Sequence, residues 1–218
     1  MKRLASRLPN RYQQDLKRSY FALQIWGGQF VSEEPEFCQV GQWIAAGDWV
    51  IDIGANIGHY TFCFANLVGA SGRVIAVEPV PETFELLANN VAFLPFRNVT
   101  LLNIAASDTP QIRGMTVPTY ETGLANYYEA HLTRKDPAFR VLCTPLDSLH
   151  LDHPIKLVKI DAEGHELCVL RGMQTLLERD HPVLVVECGT PEVTAFLRDY
   201  GYHFEKTAGS PNLVCHCQ

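Results

Sequence analysis

The sequence predicts an α/β fold, a mostly parallel sheet with helices on both faces, closed by a C-terminal hairpin. Three observations carry this. Short, nearly continuous apolar runs rich in Val and Ile recur along the chain, as strands buried on both faces of a parallel sheet require. Segments with apolar residues at helical spacing separate them. The C-terminal end instead holds two strand-like runs joined by a Gly/Pro turn. The chain has 218 residues, 47% hydrophobic and 19% charged, enough for one sizeable core.

The elements follow in order. Residues 1–20 carry six Lys or Arg and one Asp, net +5, leaving 18 − 6 = 12 basic against 24 − 1 = 23 acidic residues elsewhere, net −11. Residues 1–30 therefore read as a basic helical arm lying solvated across an acidic body, with residues 31–218 as a single domain. A nucleic-acid or membrane role would rest on that arm alone, so neither nucleic acid nor membrane insertion is expected. An Arg-rich, acid-poor start is also the composition of a transit peptide, whereas a secretory h-region and any transmembrane run are lacking in the sequence.

The strands are WVIDIG (49–54), VIAVEP (74–79), VTLLNIA (99–105), LVKIDA (157–162) and VLVVEC (183–188). Helices are predicted over 58–68, over 81–93 with Phe84, Leu87, Ala88 and Val91 on one face, and over 165–179 with Leu167, Leu170, Met173 and Leu177. Residues 109–145 hold Pro, Gly, Thr and Tyr without helical spacing and read as an irregular or hairpin-bearing insertion. A short helix over 192–199 precedes GYHFEK (201–206), the turn TAGSP and NLVCHC (212–217). Cysteines 38, 63, 143, 168, 188, 215 and 217 form no paired CxxC pattern. They read as free thiols of a reducing compartment, hence a cytoplasmic location. Cys215-His216-Cys217 is not the four spaced ligands that a zinc site usually needs.

In such a sheet ligands bind outside the carboxyl ends of the strands. The first strand ends in Asp52 and runs into Gly54-Ala55-Asn56-Ile57-Gly58. A dinucleotide fingerprint needs a glycine where Asn56 stands, because backbone must approach the pyrophosphate. Asp52 disfavours a dianion there and suits a cationic ligand. S-adenosylmethionine (SAM) fits better, with its sulfonium and a carboxylate for amides at a helix start. Glu78 ends the second strand, where an acid can take both ribose hydroxyls from a solvated cleft. A nicotinamide cofactor, or a turn that binds nothing, remains the alternative.

The stretches EPEF (34–37), GDWVIDIGANIGHYT (47–61), VIAVEPVPETFELLANNV (74–91), NVTLLNIAASD (98–108), TPLDSL (144–149), LVKIDAEGHELCVLRG (157–172) and PVLVVECG (182–189) together resemble the FkbM family of SAM-dependent methyltransferases. The resemblance is collinear over about residues 28–206, and K-I-D-x-E-G-x-E at 159–166 is its most specific block. It implies a Rossmann-like class I methyltransferase fold, a seven-stranded sheet with the last strand antiparallel. It also implies O-methylation of a hydroxyl on a sugar, polyketide or similar small molecule. It carries over Asp52, Gly54, Asn56 and Gly58 as the cofactor loop, Glu78 as ribose ligand and Ala106-Ser107 as the adenine-side turn. Within the same blocks Glu34, Ala55, Tyr60, Pro79 and Asp161 complete the expected cofactor set. His59 departs from the aromatic or apolar residue common there.

Methyl transfer to an alcohol needs alignment of the nucleophile and removal of a proton, by a base or with a divalent cation. Asp161, His165 and Glu187 are the catalytic candidates. Glu163 and Glu166 lie close by, and His59 is a rival base. Convergent carboxylates there suit Mg²⁺, although no specific metal motif is present. Tyr120, Asn126, Tyr127, Tyr128 and His131 of the insertion are the expected lining of the acceptor pocket. A homodimer is a further expectation. A nucleic-acid methyltransferase and a non-catalytic SAM-binding module are the competing functions.

Overall fold

A computed structural model describes residues 10–120, 125–187 and 189–217. The first nine residues of the basic arm, residues 121–124 of the insertion and Cys188 lie outside them. Helix α1 (Asn10–Trp26) opens the described chain, and a 3₁₀ stretch, Pro35–Gln42, leads into β1 (Trp49–Ile53). Then come α2 (His59–Val68), β2 (Arg73–Val77), α3 (Pro81–Val91) and β3 (Val99–Leu102). β4 (Ala105–Ala106) follows, and the insertion contributes β5 (Gln111–Thr116), β6 (His131–Thr133) and β7 (Phe139–Thr144). The chain closes with β8 (Ile155–Ile160), α4 (Glu166–Arg171), α5 (Gln174–Asp180), β9 (Val183–Glu187), α6 (Pro191–Asp199), β10 (Tyr202–Lys206) and β11 (Asn212–Cys217).

The main sheet has seven strands in the order β10-β11-β9-β8-β1-β2-β3. β11 runs antiparallel to both β9 and β10, and the pairs from β9 to β3 are parallel. The strand period of two sorts its side chains into two cores. Ile51, Ile53, Val158, Ile160, Leu184 and Val186 face Val169 and Leu170 of α4, Leu176 and Leu177 of α5, and Val193 and Leu197 of α6. Val50, Val74 and Leu157 face Phe64, Ala65 and Val68 of α2 on the other side. The expected sheet with helices on both faces is thus built.

The hairpin-bearing form of the insertion is the one built: β5 pairs antiparallel with β6 and β7, within a second, four-stranded sheet ordered β4-β7-β5-β6. Two elements differ from the sequence expectation. The single helix predicted over 165–179 is two, α4 and α5, broken at Gly172-Met173. Asp147, from a 3₁₀ turn far away in sequence, accepts hydrogen bonds from Thr175 N at 2.9 Å and Leu176 N at 3.1 Å. Its carboxylate thereby caps a new helix start. Gly172 permits the break, since a Cβ there would lie 1.9 Å from the Ser107 carbonyl oxygen. In α3 the buried stripe is Thr83, Leu86, Leu87 and Asn90, with Phe84, Ala88 and Val91 only partly covered. Thr83 and Asn90 are admitted to it because each donates a hydrogen bond inside, to Glu78 Oε1 and to the Ile57 carbonyl.

Candidate active site

The site grows from the carboxyl ends of β1, β2 and β8. Asp52 and Lys159 are cross-strand partners, and alternation puts both on the α2 side of the sheet. Asp161 follows two residues after Lys159 and so continues the same face. The Lys159 ammonium lies 2.9 Å from Asp161 Oδ2 and 4.9 Å from the centre of the Tyr60 ring. Burial works against its charge, but Asp161, Asp52 and Glu34 outweigh it and hold its pKa above the ordinary lysine value.

Asp52 is itself buried and accepts a short hydrogen bond from Thr61 Oγ1 on its Oδ2. Burial pushes its pKa up, against the pull of Lys159. Among the described residues its second oxygen, Oδ1, has no hydrogen-bond partner, while Glu34 lies against the Tyr60 hydroxyl and adds to burial in holding its pKa up.

The loop after β1 is pinned from several sides. Gly54 N and Ala55 N donate to the Val77 carbonyl, and Gly58 N donates to the Ala55 carbonyl. Gly54 has φ +71, and a Cβ there would stand 1.8 Å from the Asp161 carbonyl oxygen. Only glycine lets these two backbones approach so closely. Asn56 adopts φ 49, a left-handed conformation that Asn tolerates better than most residues. Its N–H donates to Glu78 Oε2 at 2.8 Å.

Glu78 departs from the sequence expectation in its surroundings. It is 5% exposed and not in a solvated cleft. Val80 N and Thr83 Oγ1 also donate to it, each at 2.8 Å. Burial raises its pKa to about 7 despite these donors. It braces the glycine loop through Asn56 while still bordering a pocket.

Two pockets open here. The first lies between Gly54, Asn56, Glu78, Pro79, Ala106 and Asp161. The second is bordered by Glu33, Glu34, Asp52, the glycine loop, Tyr60 and Lys159. Gly54, Asn56, Tyr128 and Asp161 line both. Among the described residues Asp161 is the only carboxylate common to the two.

Several predicted residues fall where the sequence did not put them. Tyr127 and His131 cover the first pocket, beside Met115, and Tyr128 stands between the two. Tyr120 is 45% exposed and Asn126 is buried, and neither borders these pockets. The second pocket is walled instead by Tyr20, Phe21 and Gln24 of α1, so the arm read as merely solvated contributes to the site. Ala106 lines the first pocket, whereas Ser107 is fully buried and bonded by its Oγ to His165 Nε2 at 2.9 Å. His165 borders only the first pocket, and burial and Arg113 lower its pKa. His59 packs its ring on Phe30, 4.4 Å between centroids, with its pKa lowered by burial.

The carboxylates of Asp161, Glu163 and Glu187 present oxygens within 4.8 Å of one another. Asp161 is held below the ordinary carboxylate range; burial opposes this, but Lys159 and hydrogen bonds from Glu187 and Lys159 prevail. Glu187 is pushed up to about 8 by burial and by Asp161. Glu163 rises to about 7 by burial and by Asp161 and Glu166. Glu166 accepts from Ala162 N and Gly164 N and so ties the turn that presents Asp161.

A protein-family model, described as the methyltransferase FkbM domain, matches residues 52–204. The chain belongs to the FkbM methyltransferase family. The hexuronic acid methyltransferase AglP of Haloferax volcanii is 31% identical over 139 residues, 63% of this FkbM chain and 55% of that enzyme. The match thus spans about half of the relative's length. Among solved structures, methyltransferase FkbM from Methylobacillus flagellatus KT matches with TM-score 0.59 at 17% identity, over 78% of this chain and 43% of that one. Precorrin-6y C5,15-methyltransferase from Geobacter metallireducens GS-15 matches with TM-score 0.51 at 19% identity, over 85% and 88% of the two chains. These likenesses place the FkbM chain in the class I methyltransferase fold. No described helix is long and apolar enough to cross a membrane.

Proposed function

We propose that this FkbM domain is a SAM-dependent O-methyltransferase acting on a hydroxyl of a neutral small molecule such as a sugar. The observation that carries the proposal is the meeting of two pockets at Asp161, one bordered by Glu78 and Ala106, the other by the acidic residues around Lys159. The residues fit the cofactor. Pro79, Glu78 and Ala106 would hold its adenosine, and Gly54 and Asn56 would pass its backbone-hugging centre. Asp52 Oδ1, buried without a partner among the described residues, would take the ammonium of its amino-acid end together with Glu34 and the Tyr60 hydroxyl, since unmet buried polar groups are costly unless a ligand meets them. When bound, SAM supplies an electrophilic methyl group on a sulfonium.

The remaining chemistry belongs to the chain. Asp161 orients the acceptor hydroxyl by accepting its hydrogen bond where the pockets join. The Asp161–Glu187 pair takes up the proton as one coupled unit, whose titration belongs to the pair. A pair with one member near pH 8 is well matched to base duty around neutrality. Lys159 keeps Asp161 ionised and in place. Lys159 also already occupies Asp161 Oδ2, so the three carboxylates are assigned to proton transfer and not to Mg²⁺.

Among the described residues Glu33, Glu34, Asp52 and Asp161 against the single Lys159 make the second pocket electronegative, which favours a neutral acceptor over a uronate or a nucleic acid. Titration calorimetry with S-adenosylhomocysteine and NADH, followed by a panel of neutral and uronic sugars as acceptors, tests the proposal. Binding of NADH in place of S-adenosylhomocysteine would overturn it, and turnover of uronic acids alone would overturn the neutral acceptor.

A further inference from the structure

We infer that the outward face of α1 pairs with the same face of a second copy of this chain. Tyr12, Leu16, Tyr20, Leu23 and Trp26 are each more than half exposed, Trp26 at 73%. Their spacing of four, four, three and three residues sets them in one stripe along the helix. Phe93 and Phe96, also exposed, extend it past Trp26, whose ring meets Phe93 at 5.9 Å. The five helix side chains alone present on the order of 600–700 Å², given 150–250 Å² for a whole aromatic side chain. That exceeds the patch an ordinary monomer leaves open and, with the two phenylalanines, approaches the roughly 800 Å² per partner of a stable interface.

Charge decides between occupants. A lipid-binding helix turns its aromatics to the acyl boundary and its cations to the headgroups around them. Here Lys17 and Arg18 are turned to the body instead. Lys17 lies over the Tyr127 ring at 4.7 Å, and Arg18 bonds Glu85 at 3.1 Å and Asp15 at 3.2 Å. Among the described residues of the helix, the outward side keeps Arg11 and Asp15, one charge of each sign, so this stretch neither seeks an anionic surface nor repels its own twin.

The stripe is also self-complementary. Two such helices, antiparallel about a two-fold axis between Ser19 and Tyr20, set Tyr12 opposite Trp26 and Leu16 opposite Leu23, as an isologous contact requires. Tyr20 borders the second pocket as well, so this pairing lies at the edge of the site.

Sedimentation equilibrium of the whole chain tests the inference. The expected mass is about 49 kDa, twice 24.4 kDa, falling to the single-chain mass in Leu16→Glu/Leu23→Glu with unchanged circular dichroism. Ser19→Cys should form an interchain disulfide under mild oxidation that neither the wild type nor Ser19→Cys/Leu16→Glu/Leu23→Glu forms. A wild-type monomer at tens of micromolar would overturn the inference. So would a dimer that survives the double substitution without Ser19→Cys cross-linking, or a monomer that sediments with phosphatidylserine vesicles, which would give the face to lipid.

Discussion

Lys159 and Asp161 stand on the same side of one strand end, their charged groups 2.9 Å apart, with Asp52 opposite Lys159 on the neighbouring strand. A lysine in a buried parallel strand is costly unless it is paired. This one is surrounded by the carboxylates whose positions the site depends on, so the ion pair fixes both the charge state and the direction of Asp161.

Lys159→Met should therefore destabilise the fold by about 3–5 kcal/mol, the cost of removing one member of a buried pair and stranding the other. Urea denaturation with an unchanged m-value measures it. A loss below about 1 kcal/mol would show that Asp52 and Asp161 are solvated well enough without the cation.

Stability should also fall as pH rises toward 8. Glu187 is raised to about 8, Glu163 to about 7 and Glu78 to about 7, all above the ordinary carboxylate value near 4.3. Across that window the folded state holds protons that the unfolded chain has released, so the unfolding free energy declines with pH. The contribution is complete below the ordinary range and lost as pH passes through about 7 and then 8. Thermal melts from pH 5.5 to 8.5 should show a falling Tm, and Glu187→Gln should flatten its upper part. A Tm rising over this range would refute the assignment.

Glu78→Ala should impair folding as well as cofactor binding. Asn56 N, Val80 N and Thr83 Oγ1 all donate to its carboxylate; Thr83 keeps the Val80 carbonyl as an acceptor, but each backbone donor left unpaired costs roughly 1–3 kcal/mol. Glu78→Gln keeps an acceptor oxygen and should recover part of the stability. Differential scanning calorimetry with and without S-adenosylhomocysteine separates the effects. An unchanged apo Tm in Glu78→Ala would mean that water replaces the carboxylate at no cost.

What the sequence made legible followed from period and position. Four buried strands read directly from their apolar runs, VTLLNIA gave the half-buried edge strand β3 and the start of the second sheet, and the crevice residues Asp52, Gly54, Asn56, Glu78 and Asp161 followed from standing at strand ends. Lys159 was missed, although a cation inside the apolar run LVKI two residues before Asp161 was its signal, and its partner Asp52 depends on which strands are neighbours. The break between α4 and α5 was hidden because its cause, the Asp147 cap, comes from another segment. Tyr20 and Phe21 of α1 were hidden for the same reason. Helical spacing shows which residues share a face, not which face meets the pocket. Ser107 and His165 were found as strand-end and turn residues, yet their mutual hydrogen bond turns both away from the second pocket.

Asp161→Asn gives the most direct test of the chemistry. The substitution keeps the shape, the approach of Gly54 to the residue 161 carbonyl and a hydrogen-bonding oxygen. It removes the basicity of the Asp161–Glu187 pair and the charge that holds Lys159. If Asp161 receives the hydroxyl hydrogen bond where the two pockets meet, kcat should drop roughly 10²–10⁴-fold, the usual contribution of a positioned base. Affinity for S-adenosylhomocysteine should change little, because the amino-acid end and the ribose are assigned to Asp52, Glu34, Tyr60 and Glu78. EDTA should leave the wild-type rate unaltered, since Lys159 and not a cation neutralises Asp161. Glu187→Gln should leave kcat lowered at every pH and abolish the rise toward pH 8 that the wild type shows as the pair loses its proton. A normal kcat in Asp161→Asn, or a defect confined to cofactor affinity, would move the base to another residue; activity lost to EDTA would return the carboxylates to a metal.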